Sequence, residues 1–144
     1  MDQTFLTWIC RCYIMNQKPE FAWNLYISID SHLIAISILN FIAHEFYRMG
    51  HFYYSFKSFL FLEKFSPSIE NSNGKLASAS GVFYLVMSGK LHSDKLQEVI
   101  HYLSESSTSS FQGEEISKII KTFMKWGKEN GLNFSDQSIY ESGY

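Results

Sequence analysis

Little in this sequence announces chemistry. Its 144 residues include two cysteines, two prolines and 8 glycines, and its formal charge is −2. Cys10 and Cys12 are two positions apart. On a helix that sets them about 200° apart around the axis, too divergent for a strain-free disulfide or a shared metal. Two thiols do not make a secreted disulfide scaffold, so both are expected as small, largely buried residues in a reducing compartment. The near-neutral charge offers no field for nucleic acid and no acidic solvating tail. The longest apolar run, Leu33 to Ala43, is broken by Ser37 and Asn40 and falls far short of the ~20 residues of a membrane span. The opening MDQTFLTWICRCYIM carries Asp2 and Arg11 where a signal peptide would be basic and then apolar, so none is expected. Asn133-Phe134-Ser135 has the spacing of a glycosylation acceptor, which is expected to be coincidental.

Catalytic and cofactor motifs are equally scarce. His44 and His51 are separated by Gly50, and His92 and His101 fall near opposite ends of one short helix, so no His pair has the spacing of a helical zinc site. There is no Gly-x-Ser-x-Gly, phosphate loop or dinucleotide fingerprint; Gly-Lys at 74–75 and 89–90 lacks the upstream glycines. Serines are plentiful, but a serine without a placed base is not a nucleophile. The carboxylates are scattered and read as solvated. No catalytic residue, cofactor or metal is expected, and a hydrolase built on an unrecognised His/Ser pair is the remaining enzymatic alternative.

What the chain does have is ring surface: 17% of it is aromatic. In FIAHEFYRMGHFYYSFKSFLFLEKF, residues 41–65, ten of 25 residues are Phe or Tyr. Helical periodicity makes this legible. Leu6, Ile9, Cys10 and Tyr13 mark one helix face, with Asp2 as N-cap; Asn16 to Pro19 breaks it. Ala22, Trp23, Tyr26 and Ile29 mark a second helix, which yields at Asp30-Ser31. Leu39, Ile42, Ala43 and Phe46 mark a third, ending at Gly50, and Phe52, Ser55, Phe59 and Leu62 a fourth, ending before Ser66-Pro67. Leu6/Leu39, Ile9/Ile42, Cys10/Ala43, Tyr13/Phe46, Ala22/Ser55, Tyr26/Phe59 and Ile29/Leu62 are all separated by 33 positions. That is an internal repeat.

Its period and residue types resemble the tetratricopeptide repeat, a helix-turn-helix unit of about 34 residues. Small residues on each helix (Cys10, Ala43; Ala22, Ser55) let the axes approach, and rings such as Tyr26 and Phe59 fill the space against the next pair. After a polar connector at Ile69 to Asn73, Leu76, Ala79, Val82, Phe83 and Val86 predict a helix closed by Gly89. Another, capped by Ser93, carries Leu96, Val99, Ile100 and Leu103. Ser104 to Ser110 reads as a low-complexity loop. A last helix puts Ile116, Ile119, Ile120, Phe123 and Trp126 inward and Lys118, Lys121, Lys125 and Lys128 outward, as a solvated face, and ends at Gly131. The expected organisation is all-α: one α-solenoid domain over 1–133, with repeats at about 3–34 and 36–67, further helices over 73–130, and a disordered tail at 134–144. First helices of stacked repeats line the concave side, which makes Thr7, Arg11, Met15, Asn40, His44, Tyr47 and Arg48 the candidate partner-binding residues. Without a neighbour, the first helix pair should expose Phe5, Trp8 and Ile9 and favour self-association through that end.

The ordered segments CRCYIMNQKPEFAWNLY (10–26), FIAHEFYRMGHFYYSFKSFLFLEK (41–64), GKLASASGVF (74–83) and KWGKEN (125–130) resemble the C-terminal part of one family of tetratricopeptide-repeat proteins. That family supplies the 56-kilodalton subunit of intraflagellar transport complex B. The similarity runs from about Phe5 to Asn133. It implies a non-enzymatic scaffold in ciliary transport trains, assembled with other complex B subunits such as the 46-kilodalton one and delivering motility components. The implied location is the cytoplasm, the cilium or flagellum and its basal body, with no nucleic acid and no membrane insertion. The family's chains carry many repeats ahead of this region, so a fragment, isoform or diverged duplicate is expected. A generic repeat adaptor reading a peptide in its groove, or a non-functional remnant, are the alternatives.

Overall fold

The computed structural model describes residues 2–106 and 112–132, and among these it holds seven α-helices and no strand. They are α1 (Gln3–Met15), α2 (Pro19–Ile27), α3 (His32–Arg48), α4 (Phe52–Phe65), α5 (Ile69–Met87), α6 (Ser93–Ser106) and α7 (Gly113–Glu129). The expected tail at 134–144 and most of the expected serine loop lie outside the described residues. Two units are distinguished, Met1–Ser78 and Ala79–Tyr144, with the boundary inside α5.

In the first unit α1 packs on α2 and α3, α2 also on α3 and α4, and α3 on α4. This is the all-α stacking of two helical hairpins that the repeat predicts. Asp2 caps α1 by accepting from Thr4 N (3.3 Å), and Pro19 occupies the first turn of α2. Each hairpin turns in the same way. Lys18 N donates to Tyr13 O (2.9 Å) and His51 N to Phe46 O (2.8 Å), six-residue closures 33 positions apart. The small residues sit where close approach needs them: Cys10, Ala43, Ala22 and Ser55 are all fully buried. Leu6, Ile14, Trp23, Ile38, Leu39, Ile42, Phe46, Phe59 and Leu62 complete that core.

Helix α5 begins earlier than its apolar pattern does. Ile69 to Asn73, expected as a connector, are its first turns, started by Ser68 Oγ accepting from Asn71 N (3.1 Å). The inward line there is Ser72, Lys75 and Ser78, all fully buried, which no search for apolar periodicity finds. Against α4, Ser55 Oγ donates to Ser78 Oγ (2.7 Å), and Gly74 lies on the Phe59 ring, 2.6 Å from where a Cβ would stand.

In the second unit α6 packs on α7, and Phe83 stacks on Phe123 at 4.7 Å. Leu96, Val99, Ile100 and Leu103 are buried as predicted. Helix α6 runs through Ser104, Glu105 and Ser106, which were expected in the loop; Ser104 Oγ bonds back to Ile100 O (2.8 Å) instead of breaking the helix. The expected Ser93 cap is also corrected: Ser93 is already helical, and His92 Nδ1 accepts from Asp94 N (3.2 Å). On α7 the buried line is Ile116, Ile120, Phe123, Met124 and Gly127. Trp126, expected inward, is exposed, because Gly127 occupies the centre of the packed face and turns its neighbour outward by about 100°.

Candidate interaction surface

Of the seven residues predicted to line the concave side, Arg11, Met15, Asn40, His44, Tyr47 and Arg48 are exposed and Thr7 is half-buried. Several are already engaged by neighbouring groups of their own or the next helix. Thr7 Oγ1 donates to Gln3 O (2.9 Å), His44 Nδ1 lies 2.8 Å from Asn40 O, and Tyr47 meets Phe52 edge-on at 5.5 Å. His44 also rests its ring edge on Phe59 of α4 at 5.3 Å. Arg48 is engaged by Glu45 (2.7 Å), and that hydrogen bond raises the guanidinium's already high pKa further.

Arg11 differs. It makes no ion pair or hydrogen bond among the described residues, and with Thr7 it lines an open pocket of about 300 Å³ completed by Gln3, Thr4, Trp8 and Phe41. Thr7 and Arg11 belong to the predicted contact face, and Trp8 was expected as exposed apolar surface. The signal for Phe41 was present too: Trp8 and Phe41 are 33 positions apart, equivalent residues of the two repeats that share one cavity. Beside them, Phe5 (50% exposed) and Trp8 (63%) correspond to Ile38, which is fully buried, and Phe41, which packs on the core. Helix α3 is covered by the first hairpin, whereas no described element of this unit covers the matching face of α1. Ile9, expected with them at the surface, is half-buried.

Elsewhere, side-chain contacts tie the helices together. Lys75 is fully buried and donates to Glu63 Oε1 (2.7 Å), while Glu63 Oε2 is buried without a hydrogen-bond partner. Glu63 is therefore not the solvated carboxylate expected from the sequence. The Lys57 ammonium stands over Trp23 (4.7 Å), Tyr53 (5.3 Å) and Tyr54 (5.9 Å), which ties α4 to α2. Burial pushes the Cys10 thiol up to about 11 and leaves it a protonated filler between helices. Among the described residues, no cluster of His, Cys, Asp and Glu could hold a metal ion, and no helix is long and apolar enough to cross a membrane.

The surface thus consists of exposed polar side chains on helical hairpins, with an open pocket beside α1. The family described as Intraflagellar transport protein 56 matches residues 1–135. A curated relative, the Intraflagellar transport protein 56 homolog of Caenorhabditis elegans, is 27% identical over 128 residues, covering 87% of this chain and 21% of the relative. The chain thus spans about a fifth of the length of that relative.

Proposed function

The chain belongs to the intraflagellar transport protein 56 family, and from that premise we propose that it acts as a non-enzymatic scaffold module of intraflagellar transport complex B. In this reading it supports cilium assembly and the carriage of ciliary proteins, motility components among them. The observation that carries it is the extent of the family match, over residues 1–135, across a fold made of stacked helical hairpins. Such hairpins present side chains from rigid elements to a folded neighbour. The proposed partners are other complex B subunits, the 46-kilodalton subunit among them, met in the cytoplasm, at the basal body and in the cilium or flagellum. Thr7, Arg11, Met15, Asn40, His44, Tyr47 and Arg48 form the proposed contact face. The uncovered apolar face at Phe5 and Trp8 provides a route to self-association of the isolated chain.

Affinity capture of the tagged chain from ciliated cells, followed by mass spectrometry, tests this reading. Stoichiometric recovery of complex B subunits supports an assembly surface on this chain. Recovery of chaperones alone, from cells in which complex B is intact, overturns it.

A further inference from the structure

The pocket on α1 has a composition that specifies what it takes. It is lined by two aromatic residues, Trp8 and Phe41, by the polar Gln3, Thr4 and Thr7, and by Arg11. No carboxylate lines it. The chain has two arginines. Arg48 is held by Glu45 at 2.7 Å, whereas Arg11 has no anion among the described residues, although the chain as a whole is acidic at −2. A guanidinium presents a fixed fork of donors suited to a carboxylate, and it stacks on aromatic faces without losing them. An apolar hollow beside an uncommitted guanidinium is complementary to an apolar side chain flanked by acid.

We infer that this pocket is the docking site for an acidic linear segment of a protein partner, one aliphatic or aromatic residue seated between Trp8 and Phe41 and a neighbouring Asp or Glu received by Arg11. The inference rests on the reading of the chain as a partner-binding module and adds to it the chemistry of the bound segment. A single cation and a volume of about 300 Å³ fit one anchor residue and one carboxylate. Binding by such a pocket is weak alone and gains strength as one contact of a larger assembly.

The test uses the full chain and a fluorescein-labelled octapeptide, Gly-Glu-Asp-Leu-Glu-Asp-Gly-Ser, read by anisotropy at low and physiological salt. Saturable binding is expected. Arg11→Glu should weaken it roughly tenfold, the yield of reversing one exposed charge pair, with the loss greatest at low salt. Trp8→Ala, or glycine in place of the peptide's leucine, should weaken it by a similar factor. A peptide with lysine at the four acidic positions should bind Arg11→Glu better than the unaltered chain. No saturable binding, or binding indifferent to Arg11→Glu, overturns the inference. Both substitutions are at exposed positions, and circular dichroism confirms that each variant folds. The scaffold reading is judged separately: recovery of complex B by the unaltered chain without saturable peptide binding sinks the pocket and leaves the scaffold, and saturable peptide binding lost in Arg11→Glu, without recovery of complex B, does the opposite.

Discussion

Gln17 and Gly50 occupy the same left-handed backbone position in the two hairpin turns, at φ +62° and +80°. Both follow a first helix, and both precede the residue whose N–H closes the turn. One repeat meets the geometric demand with the residue suited to it, the other with a side chain that is strained there.

Gln17→Gly should therefore stabilise the fold by about 0.5–1 kcal/mol, the relief of left-handed strain less the added freedom of the unfolded chain. Gly50→Ala should cost about 1–2 kcal/mol although a methyl group there meets nothing within 4 Å. Urea midpoints of the two variants moving in opposite directions is the expected result. Equal shifts would show that the two turns are not equivalent.

Gly74 faces a different constraint. A Cβ there would stand 2.6–2.8 Å from the Phe59 ring, which is itself buried. Gly74→Ala should cost about 1–3 kcal/mol as an overpacked core. Phe59→Leu should cost a similar amount alone, and the double variant should cost less than the sum. Additive costs in thermal unfolding would mean the two do not touch.

The Glu63–Lys75 pair is lopsided: the lysine side chain is fully buried, and the glutamate is 17% exposed. Glu63→Gln, which takes the Glu63 countercharge from a fully buried ammonium, should destabilise by about 3 kcal/mol. Lys75→Met leaves a carboxylate on a side chain that is 17% exposed, with Oε2 itself buried, and should cost less, about 2 kcal/mol. A double-mutant cycle in urea measures both, and the reverse order would contradict the burial.

The Cys10 thiol, raised from 9.0 to about 11, gives a pH signature. A raised acid pKa means that the unfolded chain loses its proton first as pH climbs. The contribution is intact below about pH 9 and is lost progressively up to about 11, on the order of 2 kcal/mol in all. Tyr26 and Tyr54, both raised chiefly by burial, add to the same alkaline loss. Cys10→Ala, which places in the first repeat what Ala43 supplies in the second, should flatten the alkaline limb of the stability profile. An unchanged slope would assign that limb to the tyrosines.

The first four helices were readable because their buried residues are apolar and their ends are marked by Pro19, Gly50 and Pro67. The start of α5 was not, because it buries Ser72, Lys75 and Ser78. A helix face built of hydroxyls and a paired ammonium looks like a linker to any reading based on hydropathy. The ion pair joins residues 12 apart on opposite sides of a turn, a distance no helical spacing announces. On α7 the periodicity fixed the helix but not its rotation, since Gly127 carries no side chain to reveal that it faces inward. The candidate surface was legible as a set of outward positions. That Arg48 is tied and Arg11 is not depends on which neighbours their side chains reach, which the repeat does not encode.

Lys75 also sets the chain's behaviour toward amine-reactive reagents. Of the chain's ten lysines it alone is buried, with no exposed side-chain surface. An activated ester applied to the native chain should pass it over, and the label should appear at Lys75 only in molecules whose α4 and α5 have separated. Mass spectrometry of that single peptide would then count openings of the hairpin stack, molecule by molecule, under conditions where no bulk signal changes.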